Sequence, residues 1–293
     1  MKEQILKVAV GGFHLSWLSL SVLLVACGGK LQNKIGQSFK TSDQAIVSGE
    51  AVLENAPEAA STVALYMKVE NRPNQDIGNF CTGALLSSRI VVTAAHCLAD
   101  LAAELKLDKT QMLEKISVGF GAKVLTSVSE ANAKLVKIKN YVVHPDYKVD
   151  DVISALDKPM SDIALILLEE AAPATAKPVK VVADQAAVQP GLVVTLAGFG
   201  LTDGLFETGA TSLNKVQVQI RELISATQWG YLVEDRRSAC RGDSGGPAYM
   251  ELSNGELGLV GVTSWGDGLC INMGVYTSVP VFVSWIQTAA AQL

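Results

Sequence analysis

The sequence predicts an all-β protein in two halves, closed by a C-terminal α-helix. Three observations predict it. From Ile46 onward the chain is a series of short alternating or β-branched runs separated by turn residues, the pattern of a sandwich or barrel. The stretch Glu-Glu-Ala-Ala-Pro-Ala-Thr-Ala-Lys-Pro, Glu169 to Pro178, reads as a linker between two sets of such runs. The tail Val281 to Gln292 spaces Val281, Val283, Trp285 and Ile286 ahead of an Ala-rich end, which reads as a helix packed on the second half. A chain of 293 residues can bury one large or two medium cores.

Taken in order, the first element is not part of the fold. Lys2 and Lys7 flank a weakly basic start, and Val8 to Ala26 is uncharged and mostly apolar. This is the layout of a secretory signal. It closes on Leu24-Val25-Ala26-Cys27, which resembles the bacterial lipobox, whose Cys is lipidated and becomes the new N-terminus. Residues 1–26 are thus expected to be a signal peptide. Residues 27–45, polar after Gly28 and Gly29, read as a lipid-anchored tether and pro-segment. An uncleaved membrane anchor or an ordinary cleaved signal is the alternative. Gly28 lacks the acidic retention pattern of some inner-membrane lipoproteins, so an outer-membrane or periplasmic place is expected if the source is Gram-negative.

The strand candidates follow. They are Thr62 to Met67, Ile90 to Val92, Leu135 to Ile138, Val179 to Val181, Leu192 to Leu196, Val216 to Ile220 and Leu257 to Val262. Between them, Leu98 to Lys115 carries apolar residues at a spacing that fits one or two helical turns, interrupted near Asp108-Lys109. Lys148 to Met160 is a polar stretch without clear structure.

Composition excludes some classes. Charged residues make up 18%, aromatics 6%, and the net charge is -5. No basic stripe for nucleic acid is present. No acidic loop has convincing calcium-ligand spacing, which leaves bound calcium open, and no cofactor is expected. Of the five cysteines, Cys27 is assigned to lipid. The other four, Cys81, Cys97, Cys240 and Cys270, can pair in an exported domain in three ways.

The chemistry lies in three strings. Thr93-Ala94-Ala95-His96-Cys97 holds one of only three histidines. Ser161-Asp162-Ile163-Ala164-Leu165 sets a carboxylate before a buried-strand run. Gly242-Asp243-Ser244-Gly245-Gly246-Pro247 sets a serine among glycines. A serine hydroxyl needs a base in hydrogen-bond reach, and that base needs a third group to fix its tautomer. Ser244 is assigned as nucleophile, His96 as general base and acid, and Asp162 as the orienting carboxylate, roles carried over from the family resemblance that these strings support. Gly242 permits a turn in which its own N–H and that of Ser244 point at one spot, an oxyanion hole.

From about Ile46 to the C-terminus these strings resemble the trypsin/chymotrypsin-like serine proteases. The resemblance implies two antiparallel six-stranded β-barrels with the active site between them, barrel one at about 46–168 and barrel two at about 179–280. A C-terminal helix at about 281–292 completes the domain. It implies the disulfides Cys81–Cys97 and Cys240–Cys270, each worth on the order of 3 kcal/mol by chain entropy. It makes 98–115 and 148–160 insertions beside the cleft. It implies protein or peptide substrates and a monomer.

Ile46-Val47-Ser48-Gly49 resembles the mature N-terminus of that family. Resemblance implies that a separate activating protease cuts before Ile46 and that the new α-ammonium pairs with Asp243. Ala45 stands before the cut, so either the activator is expected to prefer small residues or the protein cuts itself weakly. In the specificity pocket, Ser238 and Ala239 fall at the base, Ser264-Trp265-Gly266 at one wall and Gly274 at the back. A neutral base and glycine walls imply cleavage after large apolar residues, with Asp267 near enough in sequence to add charge. The alternative reading is a catalytically silent, protease-like surface binding module or adhesin.

Overall fold

The computed structural model describes residues 46–68, 77–127, 135–148 and 161–293. The signal, Cys27, the tether and Ala45 lie outside the described residues, as does the insertion 148–160 apart from Lys148. Among the described residues no helix is long and apolar enough to cross a membrane.

The chain opens with β1 (Glu50–Ala51) and a short helix α1 (Pro57–Ser61). Six strands then close into a barrel: β2 (Thr62–Lys68), β3 (Ile77–Leu85), β4 (Ile90–Thr93), β5 (Ile116–Gly119), β6 (Leu135–Val143) and β7 (Ala164–Leu168). Their order around the barrel is β2-β3-β4-β7-β6-β5. β4 is buried along its whole length and β7 nearly so, as their unbroken apolar runs require. Between β4 and β5 the chain forms two helices, α2 (His96–Leu105) and α3 (Lys109–Lys115). The expected interruption is present. Lys106 ends α2 in the left-handed region, and Asp108 caps α3 in a reciprocal box with Gln111.

The second half is a nine-stranded sheet. It contains β8 (Lys180–Val181), β9 (Val193–Gly198), β12 (Asn214–Gln219), β13 (Glu222–Ser225), β14 (Gln228–Leu232), β15 (Pro247–Glu251), β16 (Leu257–Gly266) and β17 (Met273–Ser278), together with β1. β10 (Leu201–Asp203) and β11 (Thr208–Gly209) form a separate hairpin. The sheet order is β1-β12-β9-β15-β16-β17-β14-β13, with β8 beside β16. This path ends on β1 and β13, whereas a closed six-stranded barrel was the expectation. β12 alternates buried and exposed residues, so Val216 and Val218 face the core while Gln217 and Gln219 face out.

Although first in sequence, β1 pairs with β12, and Ile46 lies fully buried in the second core with Val194, Leu196, Trp229 and Tyr276. The C-terminal helix α4 (Val283–Gln292) is where the sequence puts it, but its packing differs from the expectation. Its buried Ile286 and Ala289 join the core cluster that runs from the first barrel into Tyr249, Leu259 and Val262 of the second half, and α4 lies along β7 of the first. Burying a side chain the size of Ile286 contributes about 1.5–3 kcal/mol, and the methyl of Ala289 less. Both disulfides form, Cys81–Cys97 and Cys240–Cys270.

Candidate active site

Strand register brings two distant side chains together. β4 pairs antiparallel with β7, with Thr93 opposite Ala164. The chain leaving β4 therefore runs beside the chain entering β7. His96 starts α2, and Asp162 stands just before β7. His96 Nδ1 lies 2.9 Å from Asp162 Oδ2, and the His96 backbone N–H donates to Asp162 Oδ1 at 3.0 Å. One carboxylate thus holds both the ring and the helix start that carries it. Ser264 Oγ donates to Asp162 Oδ2 at 2.5 Å, and Thr277 Oγ1 donates to the Asp162 carbonyl at 2.9 Å. Asp162 is 1% exposed, whereas the His96 side chain keeps 21%.

Burial alone would lower the His96 pKa. The charge and hydrogen bond of Asp162, with a smaller contribution from Asp100, outweigh it and raise the imidazole above its usual 6.5. Burial likewise works to raise Asp162. The charge of His96 and the hydrogen bonds from His96 and Ser264 prevail, and the carboxyl sits below 3.8.

Ser244 sits on a loop with two left-handed glycines, Gly242 at φ +96° and Gly245 at φ +78°. A Cβ on Gly242 would come within 2.8 Å of Gly200 Cα, and one on Gly245 would overlap Thr93 Oγ1. Among the described residues no group accepts a hydrogen bond from Gly242 N or Ser244 N. Nor does a hydrogen bond join Ser244 Oγ to His96 Nε2, which lies 3.8 Å from Cys97 Sγ. Such contacts often tighten only around substrate. Cys81, His96 and Cys97 are near enough to share a metal, but the disulfide leaves no thiolate to ligate one.

The family model for Trypsin matches residues 52–286. The chain belongs to the trypsin family of serine proteases. It is 30% identical over 266 residues to anionic trypsin of Canis lupus familiaris, covering 85% of this chain and 91% of that one. Hypodermin-B of Hypoderma lineatum is 31% identical over 224 residues, covering 71% and 77%. A chymotrypsin of Phaedon cochleariae is 28% identical over 221 residues, covering 71% of each.

In this trypsin-family chain a cavity of about 120 Å³ opens beside Ser244. Ala239, Ser264, Trp265, Gly266 and Gly274 line it. Ser238 does not. It is fully buried behind the wall, donating to the Ala239 carbonyl at 2.8 Å and lying 3.2 Å from Tyr231 Oη. Tyr231 Oη also accepts from Ala239 N at 2.9 Å. Its ring lies directly behind Gly274, where a Cβ would approach it to 2.6 Å. Burial pushes the Tyr231 hydroxyl up to about 12. Asp267 lines the cavity, yet its carboxylate accepts from the amides of Leu269, Ile271, Asn272 and Met273, the nearest at 2.7 Å. Although burial opposes it, these amides hold its pKa below 3.8.

Asp243 is the other buried acid, 1% exposed. Its oxygens accept from Gly200 N and Cys240 N, both at 2.8 Å. Among the described residues no cation pairs with it. Burial raises its pKa to about 7, although the two amides pull the other way. Ile46 lies at φ +58°, and Val47 N donates to the Ser238 carbonyl at 2.9 Å. Sequence reasoning missed the bond from Ser264 to Asp162, the Asp267 amide cradle and the tyrosine behind Gly274.

Proposed function

We propose that this chain is a serine endopeptidase acting through an acyl-enzyme intermediate. The observation that carries the reading is the His96–Asp162 pair, with both carboxylate oxygens engaged, near a cavity whose wall includes Ser244, on the loop where Gly242 N and Ser244 N have no acceptor among the described residues. Ser244 Oγ attacks the scissile carbonyl carbon and passes its proton to His96 Nε2. The oxygen that becomes negative is received by Gly242 N–H and Ser244 N–H. His96 returns the proton to the departing amine, leaving a Ser244 ester, and water then repeats the cycle. Asp162 accepts from His96 Nδ1–H throughout and keeps the tautomer.

The test is direct. A fluorophosphonate should label the wild-type protein at Ser244 and leave Ser244→Ala unlabelled. Ser244→Ala, His96→Ala and Asp162→Ala should each lose about 10⁴–10⁶ in peptide hydrolysis while keeping a folded far-UV spectrum. Near wild-type turnover in Ser244→Ala would overturn the mechanism. A folded, correctly cut wild type that neither labels nor hydrolyses would favour the silent surface module.

The preferred residue before the scissile bond is large and apolar: Phe, Tyr, Leu or Met. Support comes from the neutral Ser238 behind the wall, the glycines at 266 and 274, and the Asp267 carboxylate held by its own loop.

The protein is made as a zymogen activated by a separate protease cutting before Ile46. Support comes from the buried Asp243, with which no cation pairs among the described residues. It comes also from the backbone of Ile46, since a β-branched residue at φ +58° is strained. Cutting the Ala45–Ile46 bond abolishes that torsion. The two disulfides support export. With lipidation of Cys27, the product is a lipoprotein of the cell envelope, and intact-mass analysis of the membrane fraction should find the diacylglyceryl group. A second barrel, closing around the nine-stranded sheet, completes the proposed architecture, which acts as a monomer.

A further inference from the structure

Thr82, in β3, is fully buried and bonds to the Ser244 loop and to the strand that leads to His96. Its Oγ1 donates to the Gly242 carbonyl at 2.9 Å and accepts from Phe199 N at 3.3 Å. Its N–H donates to the Ser244 carbonyl at 2.8 Å. Its own carbonyl accepts from Thr93 Oγ1, also at 2.8 Å, on the strand that leads to His96. Its neighbour Cys81 is bonded to Cys97, next to His96.

The bond to Gly242 has a particular consequence. The peptide unit between Gly242 and Asp243 is held at both ends: the carbonyl by Thr82 Oγ1, the N–H by the Cys240 carbonyl at 3.0 Å. That unit lies between the two proposed oxyanion donors, Gly242 N on one side and Ser244 N on the other. Gly242 has no Cβ and already occupies a glycine-only conformation, so its side chain does not resist rotation of the plane. We infer that Thr82 is a positioning residue of the oxyanion hole, its hydroxyl locking the Gly242–Asp243 peptide plane so that the two N–H groups converge. Without the hydroxyl, the plane keeps one anchor, and the Gly242 carbonyl and Phe199 N–H each lose a buried partner.

The inference rests on the serine-protease reading, and the experiment separates the two. The full chain is assayed in the processed form whose wild type takes up a fluorophosphonate. Failure of the wild type to label in any form would overturn the protease reading, and this inference with it. Given a labelled wild type, Thr82→Val should lower kcat about tenfold on a peptide anilide with KM within about twofold. That is less than the loss of a whole donor. Affinity for a peptide aldehyde, whose adduct carries the oxyanion, should fall in parallel. Thr82→Ser, which keeps the hydroxyl, should restore most of both, and the acid midpoint of activity should not move. Thr82→Ala serves if Thr82→Val does not fold. Unchanged kcat and aldehyde affinity in a folded hydroxyl-free variant would overturn the assignment. So would an equal loss in Thr82→Ser.

Discussion

Ser264 Oγ lies 2.5 Å from Asp162 Oδ2, the same oxygen that faces His96 Nδ1 at 2.9 Å. A residue of the cavity wall is therefore also a donor to the buried acid. Removing the hydroxyl should affect the carboxylate more than the cavity. For Ser264→Ala we expect kcat/KM to fall about tenfold and stability to drop by about 1–3 kcal/mol, the range for a buried acceptor losing a donor. Steady-state kinetics with urea unfolding checks both, and full activity with unchanged stability would contradict the role.

Activity should fail on the acid side at a pH above 6.5. As a general base His96 acts neutral, and Asp162 raises its pKa above that value. Asp162→Asn removes the raising charge, so the residual activity should persist to lower pH even though its rate is far smaller. A kcat/KM profile of both proteins decides it; an acid limb at the same pH in each would be the wrong outcome.

Asp243 links pH to stability in the uncut chain. Its folded pKa, about 7, exceeds the ordinary 3.8. The folded state thus binds the proton more tightly. Its advantage is fully present below 3.8 and is lost as pH rises through about 7, a swing on the order of 4 kcal/mol. The uncut Ser244→Ala protein should show that decline in its urea midpoint. After cutting before Ile46, the new ammonium offsets the buried charge, and the decline should shrink or vanish. Identical pH profiles before and after cutting would rule out the pairing.

Chromogenic peptides differing only in Phe, Arg or Ala before the scissile bond should be cleaved in favour of Phe. An Arg side chain would bury a cation with no free carboxylate to meet it, whereas a ring gains roughly 25 cal/mol per Å². A preference for Arg would mean that Asp267 leaves its amides to bind substrate.

The His96–Asp162 pair and the glycine loop of Ser244 were legible because each residue carries its own neighbours: glycines around Ser244, a buried-strand run after Asp162, and a small-residue approach to His96. β12 was legible because Val216-Gln217-Val218-Gln219 alternates over one covered face. What depends on register was not legible. Nothing local joins Thr82 to Gly242, Ser264 to Asp162, or β1 to β12. The packing of α4 on the first half also escaped, since an apolar stripe names a buried face and not the surface that covers it.

The pairing of Thr93 with Ala164 has a last consequence. A slip of one residue between β4 and β7 would turn their side chains to the opposite face and carry Asp162 out of step with His96. The His96–Asp162 pair thus works as a checksum on barrel closure. A misregistered chain loses the pair together with its core, so the proposed activity and the fold fail at the same step.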